Sequence, residues 1–202
     1  MTFNIAFVLF PEFEELDVVG PYEVLAFTAK YFDKEWRPFT VGQKHTVEST
    51  NGLTIQADYV FADAPKADLV LVPGGIGTEK GKERDNPDLI AYIKSACENA
   101  EYITSVCTGA FLLHKAGFLC NKRATTHWAA LDELRELGDV TVEVQRWVHD
   151  GNVITSAGVS AGTDMALYLV GVLKSPEIAL DVQRGIEYYP APPYIWPPRE
   201  EG

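Results

Sequence analysis

Cys107 is the residue of this sequence whose type and position most clearly predict chemistry. It lies between an apolar run at residues 102–106 (YITSV) and a helix-like stretch that starts at Thr108. A strand that turns directly into a helix presents the residue at the turn to unpaired N–H groups and to the positive end of the helix dipole. That field favours a thiolate over a thiol. The position therefore predicts a reactive cysteine, and it leaves a buried, inert cysteine about equally open.

Two other strand ends carry residues that suit a partner role. Asp17 is flanked by Leu16 and Val18, which suggests a partly desolvated carboxyl that stays protonated near neutral pH and acts as an acid. A helix cap or a solvated acid is the plainer alternative. The turn at residues 74–77 (GGIG) lets backbone approach a ligand, and its N–H groups can hold a developing anion together with that of Thr108. A tight strand-to-helix loop is the alternative there.

His127 and Trp128 are weaker candidates. His127 can be a base or a satisfied polar residue at a strand end, and the sequence slightly favours the second. Trp128 can line an apolar pocket or belong to the core. Cys97 and Cys120 have no acid or base nearby in sequence and are predicted to be structural. The cysteine spacing matches no zinc pattern, so no metal is predicted, and the chemistry considered for Cys107 and Asp17 needs no cofactor.

The elements that must position these residues alternate between strands and helices. The first helix is predicted to open at Gly20-Pro21, with proline in its first turn. Asn51-Gly52 and Asp150-Gly151 lie between β-prone runs and predict hairpins, the second between strands at residues 140–148 and 153–156. The remaining predictions are strands at residues 5–10, 37–41, 68–73 and 102–106, and helices at 22–31, 86–99, 108–116, 129–137, 162–173 and 176–186.

Such alternation is typical of an α/β domain with a mostly parallel sheet, here a single domain over residues 1–202 that ends in a proline-rich extended tail at 188–202. Because ligand sites in open parallel sheets gather at the carboxyl ends of the strands, we expect the three candidate segments to meet there.

Charge and composition exclude several classes of partner. The net charge of -12 argues against nucleic acid and anionic membranes. No basic segment precedes the apolar run at residues 5–10, and nothing approaches the roughly 18 apolar residues of a membrane span. Three cysteines, an odd count, fit free thiols in a reducing compartment. These features predict a cytoplasmic protein with a small-molecule partner.

Together these segments resemble the ThiJ/PfpI superfamily, from Ile5 to about Tyr194. The matching stretches are residues 16–25 (LDVVGPYEVL), 73–77 (PGGIG), 104–109 (TSVCTG), 122–128 (KRATTHW), 157–164 (AGVSAGTD) and 187–193 (EYYPAPP). The resemblance implies a flavodoxin-like three-layer α/β/α sandwich of the class I glutamine amidotransferase type. It also implies a cysteine at the strand-to-helix elbow and a homodimer.

Within the superfamily the pattern is most similar to the isonitrile hydratases. The acid in the first loop is Asp17, where the protease-like and glyoxalase-like branches have glutamate, and Cys107 is followed by Thr108, where the protease-like branch has histidine. The resemblance implies a hydro-lyase that converts an isonitrile and water into an N-substituted formamide. It implies Cys107 as nucleophile, Asp17 as acid/base partner and Thr108 as an essential neighbour. Four further residues are predicted to contact substrate: Gly75, Gly77, His127 and Trp128.

Two alternatives stay open. The same cysteine–threonine pattern occurs in the ligand-sensing half of AraC-type regulators, so a non-catalytic ligand or redox-sensing module is one. In that case a lowered thiol pKa would make Cys107 the preferred site of oxidation. The proline-rich stretch after Tyr189 is too short for a helix-turn-helix domain. Glyoxalase or deglycase activity is the other alternative, and Asp17 in place of glutamate argues against it.

Overall fold

A seven-stranded sheet forms the centre of the computed structural model, which describes residues 2–79 and 82–194. Its strands, in spatial order, are β10 (Trp147–Asp150), β11 (Val153–Ser156), β7 (Tyr102–Val106), β6 (Leu69–Val72), β1 (Phe3–Leu9), β2 (Trp36–Gly42) and β5 (Tyr59–Val60). All neighbours are parallel except β10 and β11. Four short strands form two small sheets, β3 (Thr46–Glu48) with β4 (Thr54–Gln56) and β8 (Arg123–Ala124) with β9 (Thr141–Val142).

The helices fall into two groups that cover this sheet. They are α1 (Glu15–Tyr31), α2 (Ile76–Glu79), α3 (Pro87–Cys97), α4 (Gly109–Lys115), α5 (Leu131–Glu136), α6 (Ala161–Leu173) and α7 (Pro176–Gly185), with short 3₁₀ turns at Lys82–Asp85 and Trp128–Ala130. Helix α1 packs on α6 and α7, whereas α3 packs on α4. Every residue of β6 is buried, as expected of a strand covered on both faces. The predicted flavodoxin-like α/β/α fold is confirmed.

The predicted start of α1 is wrong. The helix begins at Glu15, and Pro21 lies inside it, where it leaves the Asp17 carbonyl without its helical donor. Packing compensates for this loss: a Cβ on Gly20 would lie 2.5 Å from Thr163 Oγ1, and one on Gly162 would lie 3.0 Å from Pro21 Cγ. Gly20 and Pro21 are therefore the crossing point of α1 and α6. The longer helix carries Asp17 on its first turn.

Most other local predictions are confirmed. Asn86 caps α3, its side chain accepting from two amides of the first turn. Residues 49–53, which include Asn51-Gly52, connect β3 to β4, and residues 151–152 connect β10 to β11. The strand predicted at residues 140–148 is two strands in the structure. β9 pairs with β8, and only β10 pairs with β11. Residues 195–202 of the predicted tail lie outside the described residues. Across residues 2–79 and 82–194, no helix is long and apolar enough to cross a membrane.

Candidate active site

Cys107 occupies a strained elbow between β7 and α4. Its φ of 57° is left-handed, which is unusual for a residue other than glycine and is typical of functional turns. The Cys107 amide donates to the carbonyls of Ser156 and Ala157, each at 3.2 Å. The Cys107 carbonyl accepts from Thr126 Oγ1 at 2.8 Å. The end of β11 and the loop that follows β8 thus hold the backbone of this residue in place.

The elbow fits against the end of β6 only because glycines stand at the contact. A Cβ on Gly109 would lie 2.2 Å from the Val72 carbonyl oxygen. A Cβ on Gly74 would lie 2.4 Å from Thr108 Oγ1 and 2.9 Å from Cys107 Cβ. Any larger residue would push the two strand ends apart, so these glycines set the distance between the elbow and the glycine-rich turn.

Asp17 is completely buried at the same strand ends. Its Oδ2 accepts from the Gly74 amide at 2.8 Å, and its Oδ1 has no hydrogen-bond partner among the described residues. Burial raises the pKa of this carboxyl from 3.8 to about 8, with a smaller contribution from Glu14. The hydrogen bond from the Gly74 amide acts the other way, and so, more weakly, does the nearby Val159 amide, which does not meet the distance and angle of a hydrogen bond to Asp17. At neutral pH the carboxyl is therefore mostly protonated. Oδ1 is the oxygen better placed to carry that proton, because Oδ2 already accepts from an amide and Oδ1 accepts from none of the described residues.

The thiol of Cys107 is also neutral at rest. Burial raises its pKa above the ordinary value, the charge of Asp17 adds to this, and the amide and hydroxyl of Thr108 oppose it. The lowered thiol pKa expected from the helix N-terminus is wrong. Helix α4 has only seven residues, and desolvation outweighs its dipole. The thiolate must therefore form during the reaction.

The glycine-rich turn ties the acid to the elbow. The Gly74 amide donates to Asp17, and the Gly75 amide donates to Thr108 Oγ1 at 3.1 Å. Gly75 has a φ of +137°, and a Cβ there would lie 2.3 Å from the Glu12 carbonyl oxygen. The Gly77 amide also donates to that oxygen, at 3.2 Å. A substrate anion at this turn would have to displace one of these bonds, so substrate contact by Gly75 and Gly77 stays a prediction.

His127 and Trp128 directly follow Thr126, whose hydroxyl donates to the Cys107 carbonyl. His127 is half-buried, burial lowers its pKa, and the charge of Glu79 opposes that shift. Its ring packs against Gly158, where a Cβ would lie 2.1 Å from His127 Cδ2. Trp128 is 52% exposed, which excludes a core role, and its ring centroid is 5.4 Å from that of His127. Their contact with substrate stays a prediction.

The acids near Asp17 divide into two kinds. Glu14 is partly buried; burial raises its pKa first, followed by the charges of Glu15 and Glu79. Burial also acts to raise the pKa of Glu15, but hydrogen bonds from Ser49 and Asn51 outweigh it and lower that pKa to about 2. Glu15 therefore has a structural role, holding the β3–β4 turn onto α1.

Sequence reasoning missed Thr78. This residue is completely buried on α2, with its hydroxyl 2.5 Å from Thr108 Oγ1. A threonine inside a short helix gives no sequence signal, because only the packing of α2 on α4 brings the two hydroxyls together.

The other cysteines lie outside this cluster. Cys97 is buried and Cys120 is exposed, and neither forms a disulfide. Within residues 2–79 and 82–194, no three His, Cys, Asp or Glu side chains are grouped so as to hold a metal ion.

The elbow cysteine, the buried acid and the fold agree with one family. The model of the DJ-1/PfpI family matches residues 4–171. The chain belongs to this family. The predicted ThiJ/PfpI resemblance is thereby confirmed.

The relatives include an enzyme and a transcriptional regulator. The chain is 40% identical over 195 residues to an isonitrile hydratase of Pseudomonas putida. The aligned residues cover 96% of this chain and 82% of that protein. It is 28% identical over 178 residues to the HTH-type transcriptional regulator CdhR of Pseudomonas aeruginosa, covering 87% of this chain but 52% of the regulator. The chain thus spans about half the length of that regulator.

Solved structures agree on the fold. A ThiJ/PfpI family protein from Pseudomonas syringae superposes with a TM-score of 0.87 at 31% identity, covering 96% of this chain and 78% of that one. Drosophila melanogaster DJ-1beta superposes with a TM-score of 0.79 at 21% identity, covering 93% and 98%, and supports the fold alone.

Proposed function

We propose that this DJ-1/PfpI protein hydrates an isonitrile, R–N≡C, to the N-substituted formamide. One arrangement carries the proposal: Asp17 is a fully buried carboxyl whose raised pKa keeps it protonated near neutral pH, and it is near enough to Cys107 for its charge to act on that thiol. An isonitrile carbon both takes up a proton and accepts a nucleophile, so it needs these two groups at one place. The 40% identity to the P. putida isonitrile hydratase supports the same activity.

The first step adds the thiol across the terminal carbon. Asp17 donates its proton to that carbon, and the carboxylate so formed takes the proton of the Cys107 thiol as sulfur bonds to the same carbon. The product is a thioimidate, R–N=CH–S–Cys107, and Asp17 is again protonated. No free carbanion and no lasting charge form in the buried site, which suits its low polarity.

The second step consumes water. Protonated Asp17 gives its proton to the thioimidate nitrogen, and the carboxylate so formed takes a proton from water as the water oxygen bonds to the thioimidate carbon. Collapse of this intermediate breaks the carbon–sulfur bond, returns a proton to Cys107 and releases R–NH–CHO. One isonitrile and one water are thus consumed for each formamide, and the chain supplies every group that the two steps use.

A product assay tests this proposal. Purified protein is incubated with cyclohexyl isocyanide, and N-cyclohexylformamide is followed by mass spectrometry. Wild type and the control Cys120→Ala should turn over, whereas Cys107→Ala and Asp17→Asn should not. Absence of product across several alkyl isonitriles would reject the hydratase activity.

A homodimer is part of the proposal. Leu16 and Val19, on the helix that carries Asp17, are 41% and 44% exposed, an apolar surface that a second copy would cover. Light scattering on the purified protein measures the mass directly, and a monomer at micromolar concentration would reject this part. The predicted cytoplasmic location stays a prediction.

A ligand-sensing module is the second candidate, because the match to CdhR covers 87% of this chain. Saturable binding of an isonitrile without formamide release would favour it. Redox sensing through Cys107 is weakened, because a buried thiol with a raised pKa resists oxidation. Glyoxalase or deglycase activity stays the less favoured alternative, since Asp17 stands in place of glutamate. Absence of lactate from methylglyoxal would exclude the glyoxalase reaction.

A further inference from the structure

We propose that Thr78 is a positioning residue that limits the reactivity of Cys107 by holding the hydroxyl proton of Thr108. The inference rests on the site of the proposed function, although it does not require the substrate to be an isonitrile. Thr78 lies on α2, outside every segment in which the sequence indicated chemistry.

Three hydrogen bonds connect Thr78 to the elbow. Thr78 Oγ1 donates to the Gly75 carbonyl at 2.8 Å. The oxygens of Thr78 and Thr108 are 2.5 Å apart, and Thr108 Oγ1 accepts from the Gly75 amide at 3.1 Å. Both threonines are buried, so water does not compete for these groups.

The donors of this cluster can be assigned by counting protons. An amide can only donate, a carbonyl can only accept, and a hydroxyl has one proton to give. The Thr78 proton is committed to the Gly75 carbonyl, so the short contact between the hydroxyls must use the proton of Thr108. The bonds then run in one direction around a closed ring: Gly75 N–H to Thr108, Thr108 to Thr78, and Thr78 to Gly75 C=O. Such aligned bonds strengthen one another in a low-dielectric interior.

The ring and Cys107 compete for the same proton. The hydroxyl of Thr108, the next residue along the chain, acts to lower the pKa of the Cys107 thiol, because it can donate to the charged sulfur. In the resting ring, however, that hydroxyl points to Thr78. A thiolate gains this hydrogen bond only when Thr108 leaves the ring, and the cost of leaving is set by Thr78. Thr78 thus keeps the thiol in its unreactive form until a reaction step forms charge on sulfur.

Two carboxyl groups on neighbouring elements also act on the sulfur when they are ionised. They are Asp17 on α1 and Glu79 on α2. Both are left unchanged in every variant used below, and the reagent is the uncharged iodoacetamide. Differences between variants therefore report the hydroxyl ring and not the carboxylates.

The test is the rate at which iodoacetamide alkylates Cys107 at one fixed pH near neutrality, followed by peptide mass spectrometry. Thr78→Val removes the competing acceptor and should speed alkylation about fivefold or more, as expected when a hydroxyl is freed to bond a charged group. Thr78→Ser retains the hydroxyl and should match wild type. Thr108→Val removes the donor and should slow alkylation.

The double variant separates positioning from a loosened structure. If Thr78 acts only through Thr108, Thr78→Val combined with Thr108→Val should be as slow as Thr108→Val alone. A gain that persists in the double variant would mean easier access of the reagent and would overturn the proposal. A wild-type rate in Thr78→Val would overturn it as well.

A second variant guards against misfolding. If Thr78→Val does not fold, Thr78→Ala removes the same hydroxyl without adding a methyl group and is expected to show the same gain. The alkylation assay needs no isonitrile, so failure of this proposal and failure of the hydratase proposal can be distinguished.

Discussion

The Asp17→Asn variant should be less stable than wild type at low pH and more stable than wild type at high pH. The Asp17 carboxyl has a pKa of about 8 in the folded protein, against an ordinary value of 3.8. Between these pH values the folded protein retains a proton that the unfolded chain has released. The free energy of unfolding of wild type therefore falls as pH rises through this window, and asparagine, which does not ionise, removes that contribution.

The size of the effect follows from the same two values. One retained proton corresponds to about 1.4 kcal/mol per pH unit, so the contribution over the whole window is about 6 kcal/mol. The amide oxygen of asparagine can still accept from Gly74, but its NH₂ group replaces the unpartnered Oδ1 and is left unpaired, at about 1–3 kcal/mol. The variant should be less stable than wild type near pH 4 and more stable near pH 8. The two stability curves should cross at about pH 4.5–6.

Urea unfolding of both proteins at a series of pH values measures this crossing. Other groups contribute equally to wild type and variant, so the difference isolates Asp17. The formamide assay on the same samples should show no activity for the variant at any pH, and a loss of wild-type activity as pH rises through about 8. A stability difference that stays constant with pH would show that the buried carboxyl is not protonated, and the proposed acid step would fail with it.

Three further predictions follow from local structure. Glu15→Gln should lower the stability of the folded protein at neutral pH, because it removes the carboxylate that Ser49 and Asn51 bond. As pH falls from 4.5 towards 2, wild type loses the same contribution, and the urea midpoints of the two proteins should converge. Gly109→Ala should lower the free energy of unfolding by about 2 kcal/mol or more, because the added Cβ would collide with the backbone of β6. The control Gly171→Ala in α6 should raise that free energy by about 0.5–1 kcal/mol, because its Cβ meets nothing closer than 3.8 Å and alanine favours a helix. In the native protein a bulky disulfide reagent should modify exposed Cys120 before buried Cys107, and Cys120→Ser should abolish this fast phase; equal rates would contradict the burial.

Much of the fold was predictable because its signals are local. The apolar runs at β1, β6 and β7 mark strands buried on both faces, and Asn86 marks the start of α3 through its own hydrogen bonds. The start of α1 was not predictable, because proline propensity opposes a helix through residue 21. That helix is stabilised by the close crossing with α6, which involves residues far away in sequence.

The sequence by itself determined which groups are available for chemistry: a cysteine at a strand-to-helix elbow, an acid after the first strand and a glycine-rich turn. Only the tertiary structure decided their protonation states. Whether Asp17 and Cys107 are charged depends on desolvation by every element packed around them, and burial outweighs the dipole of the short helix α4. The tertiary structure also places the Thr78 hydroxyl against that of Thr108. The sequence could not predict this contact, because the two residues lie in segments that only the packing of the fold brings together.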